Sequence, residues 1–256
     1  MQSTTNPVRQ ALLARRLSLG SWIQIGHPAA AEVLATAGFD WIAIDCEHTD
    51  IGIESFGAVM RGMHGRNCVP FARVRENDRL AIRQVLDLGA RGVIVPLVNT
   101  AEEAAAAVRS AKYPPRGERG YAFCRANDHG VHFDDYVRAA NDDIAVVVMI
   151  ESRAGVENID GILGVEGVDG IFVGPYDLSG SFGVPGQLEA EVVRAACGRV
   201  LEACRKQGKA AGLHVVKPSA EAIRLAVDAG YTFLALGMDT VFLDEGARLA
   251  LKVARG

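Results

Sequence analysis

The chain has 256 residues, 49% apolar and 23% charged, with a formal net charge of −4. That composition can build a core and excludes a disordered tail or fibrous repeat, while the slight excess of acid leaves no electrostatic footprint for nucleic acid or an acidic membrane surface. Single-domain α/β barrels cluster near ~250 residues, so one domain over 1–256 is the first expectation. The five cysteines, Cys46, Cys68, Cys124, Cys197 and Cys204, form no CxxC pair, which predicts reduced thiols and a cytoplasmic location. Residues 1–10 show no export signal, and the longest apolar run, Ile144 to Ile150, is far short of the roughly 20 residues that span a bilayer.

In chain order, a first strand is expected at Ser21–Ile25, followed by a helix whose first turn suits Pro28. A phrase then recurs four times: an apolar helix end, a glycine, two or three residues, and a β-rich run. It reads LATAGFDWIAI at 34–44, LDLGARGVIV at 86–95, LGVEGVDGIFV at 163–173 and AVDAGYTFLAL at 226–236. Gly38, Gly89, Gly167 and Gly230 fall where a left-handed residue closes a helix before a short loop. The strands so marked are Trp41–Asp45, Gly92–Pro96, Gly170–Val173 and Thr232–Leu236, and apolar runs add Val69–Val74, Ile144–Ile150 and Lys209–His214. Asn77 or Asp78, Thr100 with Glu103, and Ser219 supply helix starts between them. Continuous β-branched runs alternating with helices imply parallel strands buried on both faces, and eight of them imply a closed (β/α)8 TIM barrel, with an open doubly wound sheet as the alternative. After a helix to about Lys112, the stretch 113–143 breaks the rhythm and is expected to be an insertion on the C-terminal rim.

Barrel chemistry is confined to strand C-termini, and these are unusually polar. They carry Asp45, Cys46, Glu47 and His48; Arg73; Glu151; Gly174, Pro175, Tyr176 and Asp177; and His214. A buried carboxylate such as Glu151 costs several kcal/mol unless a cation meets it. Glu151 and Asp177, from neighbouring strands at equivalent heights, suit a divalent ion such as magnesium or manganese with room for a bidentate oxygen ligand; a salt bridge or helix cap is the plainer alternative for each. Arg73 could offset the charge of an enolate, worth roughly 4 kcal/mol at ~4 Å and an effective dielectric of ~20. His48, three residues beyond Asp45, is the proton-transfer candidate. The only lysine near a strand C-terminus is Lys217, next to a proline, which weakens an imine mechanism. No GxSxG, Walker or GxGxxG motif supports hydrolase or nucleotide chemistry.

The stretches AGFDWIAIDCEHTD, ARV at 72–74, YPPRGERG at 113–120, MIES at 149–152 and EGVDGIFVGPYDLSGSFG resemble the metal-dependent (class II) pyruvate aldolases. That family includes 4-hydroxy-2-oxoheptanedioate, 2-keto-3-deoxy-rhamnonate and 5-keto-4-deoxy-glucarate aldolases. The likeness runs from about Gly20 to Met238. It implies a barrel of the phosphoenolpyruvate-binding type, a Mg, Mn or Co ion, and cleavage of 4-hydroxy-2-oxo acids into pyruvate and a small aldehyde. Carried over by position, Glu151 and Asp177 hold the metal, Arg73 stabilises the enolate, and His48 with Asp45 moves protons through a water. Asp87 reaches a neighbouring subunit's site, Trp22 lies near the pocket, and the amides of Tyr176 and Asp177, with Gly174 beside them, hold the pyruvate carboxylate. The resemblance also implies a homohexamer that exchanges its last helix between subunits.

Two positions depart from many relatives: Met149 stands where they carry glutamine, and His214 where they carry an apolar residue. The second departure suggests that His214 contacts the aldehyde half of the substrate. Other readings are a malyl- or citramalyl-thioester lyase on the same barrel, for which Arg116, Arg119 and Arg125 could bind a coenzyme, and a catalytically inactive oligomeric scaffold. The residues leave both carboxylate-ended and polyol aldehydes open.

Overall fold

A computed structural model describes residues 5–256. Eight strands close into one barrel in sequence order: β1 (Ser18–Ile23), β2 (Trp41–Asp45), β3 (Val69–Arg73), β4 (Gly92–Val95), β5 (Ala145–Ile150), β6 (Gly170–Val173), β7 (Ala210–Val215) and β8 (Phe233–Met238). All eight pairings are parallel, as the β-branched runs and the helices between them require. β2 and β6 match their expected bounds. β1 begins three residues earlier than expected because Ser18 and Leu19 pair with Phe233 and Leu234 of β8, a closure partner some two hundred residues away that local periodicity does not reveal.

The four repeated glycines are all left-handed, with φ of 96°, 102°, 94° and 106° at Gly38, Gly89, Gly167 and Gly230. Each ends the helical stretch before a strand, where a side chain at positive φ would be strained. The expected caps form as well: Asp78 and Ser219 accept from their helices' first amides, and Thr100 and Glu103 make a reciprocal capping box.

Two apolar layers hold the barrel. The outer one packs the strands' outward faces against the helices. The inner one is a stack of aromatic rings, Trp22, Trp41, Phe71, Phe172 and Phe233, with Trp41 and Phe233 stacked at 4.1 Å. Strand register makes room for it. Gly20 is level with Trp41, Gly92 with Phe71, and Gly212 with Phe233. A Cβ on Gly20 or Gly92 would fall 2.1 Å from the facing ring. Below this stack the helix Pro7–Leu13 inserts Val8 and Leu12 into the interior. Asn6 caps that helix and donates to the Arg91 and Asp143 carbonyls, so the N-terminal end is stoppered.

The 113–143 segment is not on the C-terminal rim. It leaves the C-terminus of the helix Ala101–Ala111 and runs into β5, so it is an αβ connection and belongs to the flank and the opposite end. It carries a short 3₁₀ turn, Arg125–Gly130, and the helix Phe133–Asp143. Arg119 pairs with Asp87 at 2.8 Å, Arg125 donates to the Leu88 and Met60 carbonyls, and Arg116 pairs with Asp142. Among the described residues, no helix is long and apolar enough to cross a membrane.

Candidate active site

The polar ends of β2, β3, β5 and β6 converge at the barrel mouth. Register places Asp45 beside Arg73, and the two join in a bidentate pair, Nε to Oδ1 at 2.9 Å and Nη2 to Oδ2 at 2.6 Å. Asp45 is fully buried. Burial alone would raise its pKa, but the guanidinium outweighs that and holds the carboxyl below its ordinary range. The Arg73 guanidinium also lies over the Trp22 ring, 4.8 Å from its centroid. It is therefore fixed by a carboxylate on one side and an aromatic face on another.

The expected contact between Asp45 and the His48 imidazole is replaced by another arrangement. Asp45 spends its acceptors on Arg73, Gln24 and the main-chain amides of Glu47 and His48, because a buried carboxylate gains more from a permanent cation than from an imidazole. The His48 ring is exposed at the rim, its Nε2 3.4 Å from Glu47 Oε2. Asp45 thus positions His48 through the backbone.

Glu151 follows β5 and Gly174 follows β6 at the same level, since Ile150 pairs with Val173. Glu151 is 6% exposed. Burial, reinforced by the neighbouring charges of Glu47 and Asp177, pushes it up to about 7 against the pull of the Leu97 amide and Arg73. Leu97 is left-handed, with φ of 53°, and its N–H donates to Glu151 Oε1 at 2.6 Å. A strained non-glycine residue aimed at a buried acid is the kind of distortion that functional sites retain.

A Cβ built on Gly174 would lie 2.9 Å from Glu151 Oε2 and 3.6 Å from Asp177 Oδ2. The missing side chain leaves a cradle between two carboxylates. Glu47 faces the same space: burial and the charges of Asp45 and Asp177 raise its pKa despite Arg73. Its buried Oε2 makes no hydrogen bond; Arg73 Nε is 3.3 Å away, but its hydrogen is committed to Asp45. Three mutually repelling acids, one with an oxygen that makes ion-pair contacts but no hydrogen bond, around an open cradle fit a divalent cation bound by Glu151 and Asp177. The described residues hold no group of three or more His, Cys, Asp or Glu side chains already in ligating geometry, so water or substrate would complete the shell.

Trp22 is 3% exposed and its indole N–H has no partner. Met149 is buried in the inner layer. The His214 ring crosses Trp22 at 6.0 Å, and its Nε2 lies 3.1 Å from the Gly237 carbonyl. The helix Pro175–Ser181, which begins at this cradle, has no side-chain cap on its first turn, leaving Tyr176 and Asp177 amides for a ligand. Asp87 stands apart from all of these: it ends the helix after β3 and faces Arg119.

Glu47, Leu97 and Gln24 join the site beyond the residues expected there. Glu47 was visible at a strand end, whereas nothing about a leucine signals a left-handed backbone. Lys217 is exposed, unlike an imine-forming lysine. Lys112 is buried, and burial pushes it down to about 8, but its Nζ donates to the Asn141 and Ile144 carbonyls at the start of β5, the end without the acids. A groove of about 790 Å³, lined by strand beginnings such as Ser18, Asp40 and Val69, also opens at that far end.

Taken together, fold and site define a barrel enzyme with paired acids and a fixed arginine at its mouth. The family model for HpcH/HpaI aldolase/citrate lyase matches residues 18–244, and the chain belongs to that family and is an aldolase. It is 40% identical to the hydroxypyruvate/pyruvate aldolase of Roseovarius nubinhibens over 98% of this chain and 97% of the relative. It is 37% identical to the 5-keto-4-deoxy-D-glucarate aldolase of Enterobacter sp., over 96% and 95% of the two chains. A solved HpcH/HpaI aldolase/citrate lyase family protein from Burkholderia cenocepacia superposes with a TM-score of 0.94 at 34% identity, covering 98% of this chain and 100% of that one.

Proposed function

We propose that the aldolase reversibly cleaves a 4-hydroxy-2-oxo acid into pyruvate and an aldehyde, with a divalent ion (Mg, Mn or Co) held by Glu151 and Asp177. The observation that carries this reading is the cradle at Gly174, bounded by two acids of which one is buried and raised to about 7. A divalent ion there supplies Lewis acidity to the substrate's 2-oxo group and neutralises the clustered acids. Arg73, braced by Asp45 and Trp22, sets a permanent positive charge where the enolate oxygen develops. His48 and Glu47 stand at the rim to take the 4-hydroxyl proton, directly or through water. The bond between carbons three and four then breaks, its electron pair passes into the enolate, and protonation at carbon three releases pyruvate. The uncapped amides of Tyr176 and Asp177 hold the substrate carboxylate beside Gly174.

Asp87 has no place in its own chain's site and acts, in this reading, on a neighbouring subunit's. An assembly is supported by the helix Asp239–Arg255, whose Leu243, Leu249, Leu251 and Val253 are more than half exposed; we assign it an exchanged position in a homohexamer. Free cysteines, three of them buried, suit the cytoplasm. The thioester reading loses its support, because the relatives are named as aldolases and Arg116, Arg119 and Arg125 are engaged away from their own chain's barrel mouth.

The test is exchange of the pyruvate methyl protons with deuterated solvent in the presence of manganese. Exchange should need the metal, stop with chelator and fall at least a hundredfold in Glu151→Gln. Exchange that survives chelation and is trapped by borohydride would replace this reading with an imine.

A further inference from the structure

We propose that His214 accepts a hydrogen bond from a substrate hydroxyl, so that the enzyme favours hydroxylated substrates over their deoxy counterparts. The proposal rests on the barrel mouth being the site of cleavage. His214 lies near the end of β7, opposite Ala235 of β8. Its ring meets Trp22 at 6.0 Å, and Trp22 in turn carries the Arg73 guanidinium at 4.8 Å. Two contacts therefore connect the imidazole to the cation that faces the reacting oxygen.

The tautomer follows from the partner. A carbonyl can only accept, so the Nε2 lying 3.1 Å from the Gly237 oxygen bears the hydrogen, and Nδ1 carries the lone pair. Among the described residues, Nδ1 makes no hydrogen bond. Burial, aided by Arg73, pushes the imidazole down to about 4, and the ring stays an acceptor throughout the neutral range. Around it Trp22 and Ala235 belong to the apolar inner layer, and the donor among them, the Trp22 indole N–H, makes no hydrogen bond to it, so a hydroxyl seated there could accept from Trp22 as well as donate to Nδ1.

An acceptor in this position discriminates among substrate groups. Ketone and carboxylate oxygens have no hydrogen to offer it, and a methyl group would leave it unsatisfied. A hydroxyl meets the requirement. It could sit on carbon three of the 2-oxo acid, as in hydroxypyruvate, or on the carbon next to the aldehyde, as in glycolaldehyde. A site built to bond a hydroxyl penalises the analogue lacking one, because the protein group is left desolvated and unpaired.

The experiment compares wild type with His214→Leu, His214→Phe and His214→Gln under manganese, in two arms. One measures kcat/KM for hydroxypyruvate against pyruvate with a common aldehyde; the other measures glycolaldehyde against acetaldehyde with pyruvate. In one arm, the leucine and phenylalanine variants should lose between about twofold and tenfold of the hydroxyl preference, the range one neutral hydrogen bond sustains. Glutamine, whose amide oxygen accepts, should restore most of it. The arm that responds identifies the hydroxyl's source. Unchanged or increased ratios in both arms, for whichever non-accepting variant folds, overturn the proposal. Solvent exchange into pyruvate by the wild type is measured alongside: its absence would overturn the metal-enolate reading, a failure distinct from unchanged ratios in an enzyme that does exchange.

Discussion

Gly174→Ala tests the cradle with one methyl group. The added Cβ would sit 2.9 Å from both Cβ and Oε2 of Glu151 and 3.6 Å from Asp177 Oδ2. Gly174 has φ of −105°, so alanine suits the backbone and the conflict is purely steric. Glu151 must move, and moving it stretches the 2.6 Å bond from the Leu97 amide. A hydrogen bond to a charged group contributes about 1.5–3 kcal/mol, so manganese should bind roughly 10 to 100 times more weakly. Gly180→Ala in the same helix is the control, since nothing lies within 4 Å of its added Cβ. Manganese affinity is measured by calorimetry or by loss of the free-ion paramagnetic signal, and folding is followed by thermal unfolding. If Gly174→Ala binds manganese within twofold of wild type while staying folded, the ion does not sit between these acids and the reasoning fails.

Arg73→Lys keeps the charge but loses the two-pronged pairing with fully buried Asp45. It should lower kcat/KM at least a hundredfold and cost about 2–3 kcal/mol of stability, and near-normal steady-state kinetics would show that the fork is dispensable. His214 makes stability depend on pH: its folded pKa of about 4 lies below the unfolded value of about 6.5, so the unfolded chain binds the extra proton between them. Stability is whole above pH 6.5 and falls by up to about 3 kcal/mol as pH drops to 4. His214→Leu should flatten that slope in denaturant titrations, and an unaltered slope would contradict the assigned shift. Leu243→Glu with Leu249→Glu changes two exposed residues on the last helix and should shift sedimentation toward smaller species; an unchanged profile would place that helix outside the assembly contacts.

Fold and site were legible to different depths. The four helix–glycine–strand phrases located half of the strands because each depends on one backbone property, a left-handed residue, that only glycine supplies cheaply. Polar residues closing apolar runs pointed to Glu151, Asp177, Arg73 and Asp45, since such residues at the end of a buried strand need a reason to be there. Pairings across space were not legible. That Asp45 holds the Arg73 guanidinium while only its link to the His48 backbone survives depends on the offset of β2 against β3, which neither strand encodes alone. The Leu97 amide was invisible because its contribution is a dihedral angle rather than a side chain. The 113–143 segment looks like a rim insertion when it is taken as following β4, but the helix Ala101–Ala111 carries the chain to the other end of the barrel before the segment begins.

The interlocked rings and glycines inside the strands, with Val8 and Leu12 beneath them, make the cylinder blind-ended. Traffic therefore shares one doorway, and the fragment seated deeper cannot depart until the outer one has cleared the threshold. In the proposed reaction, with the keto acid beside Gly174 and the aldehyde half toward the rim, release in the cleavage direction would accordingly be sequential, aldehyde first and the three-carbon keto acid last, and in synthesis the queue would run in reverse.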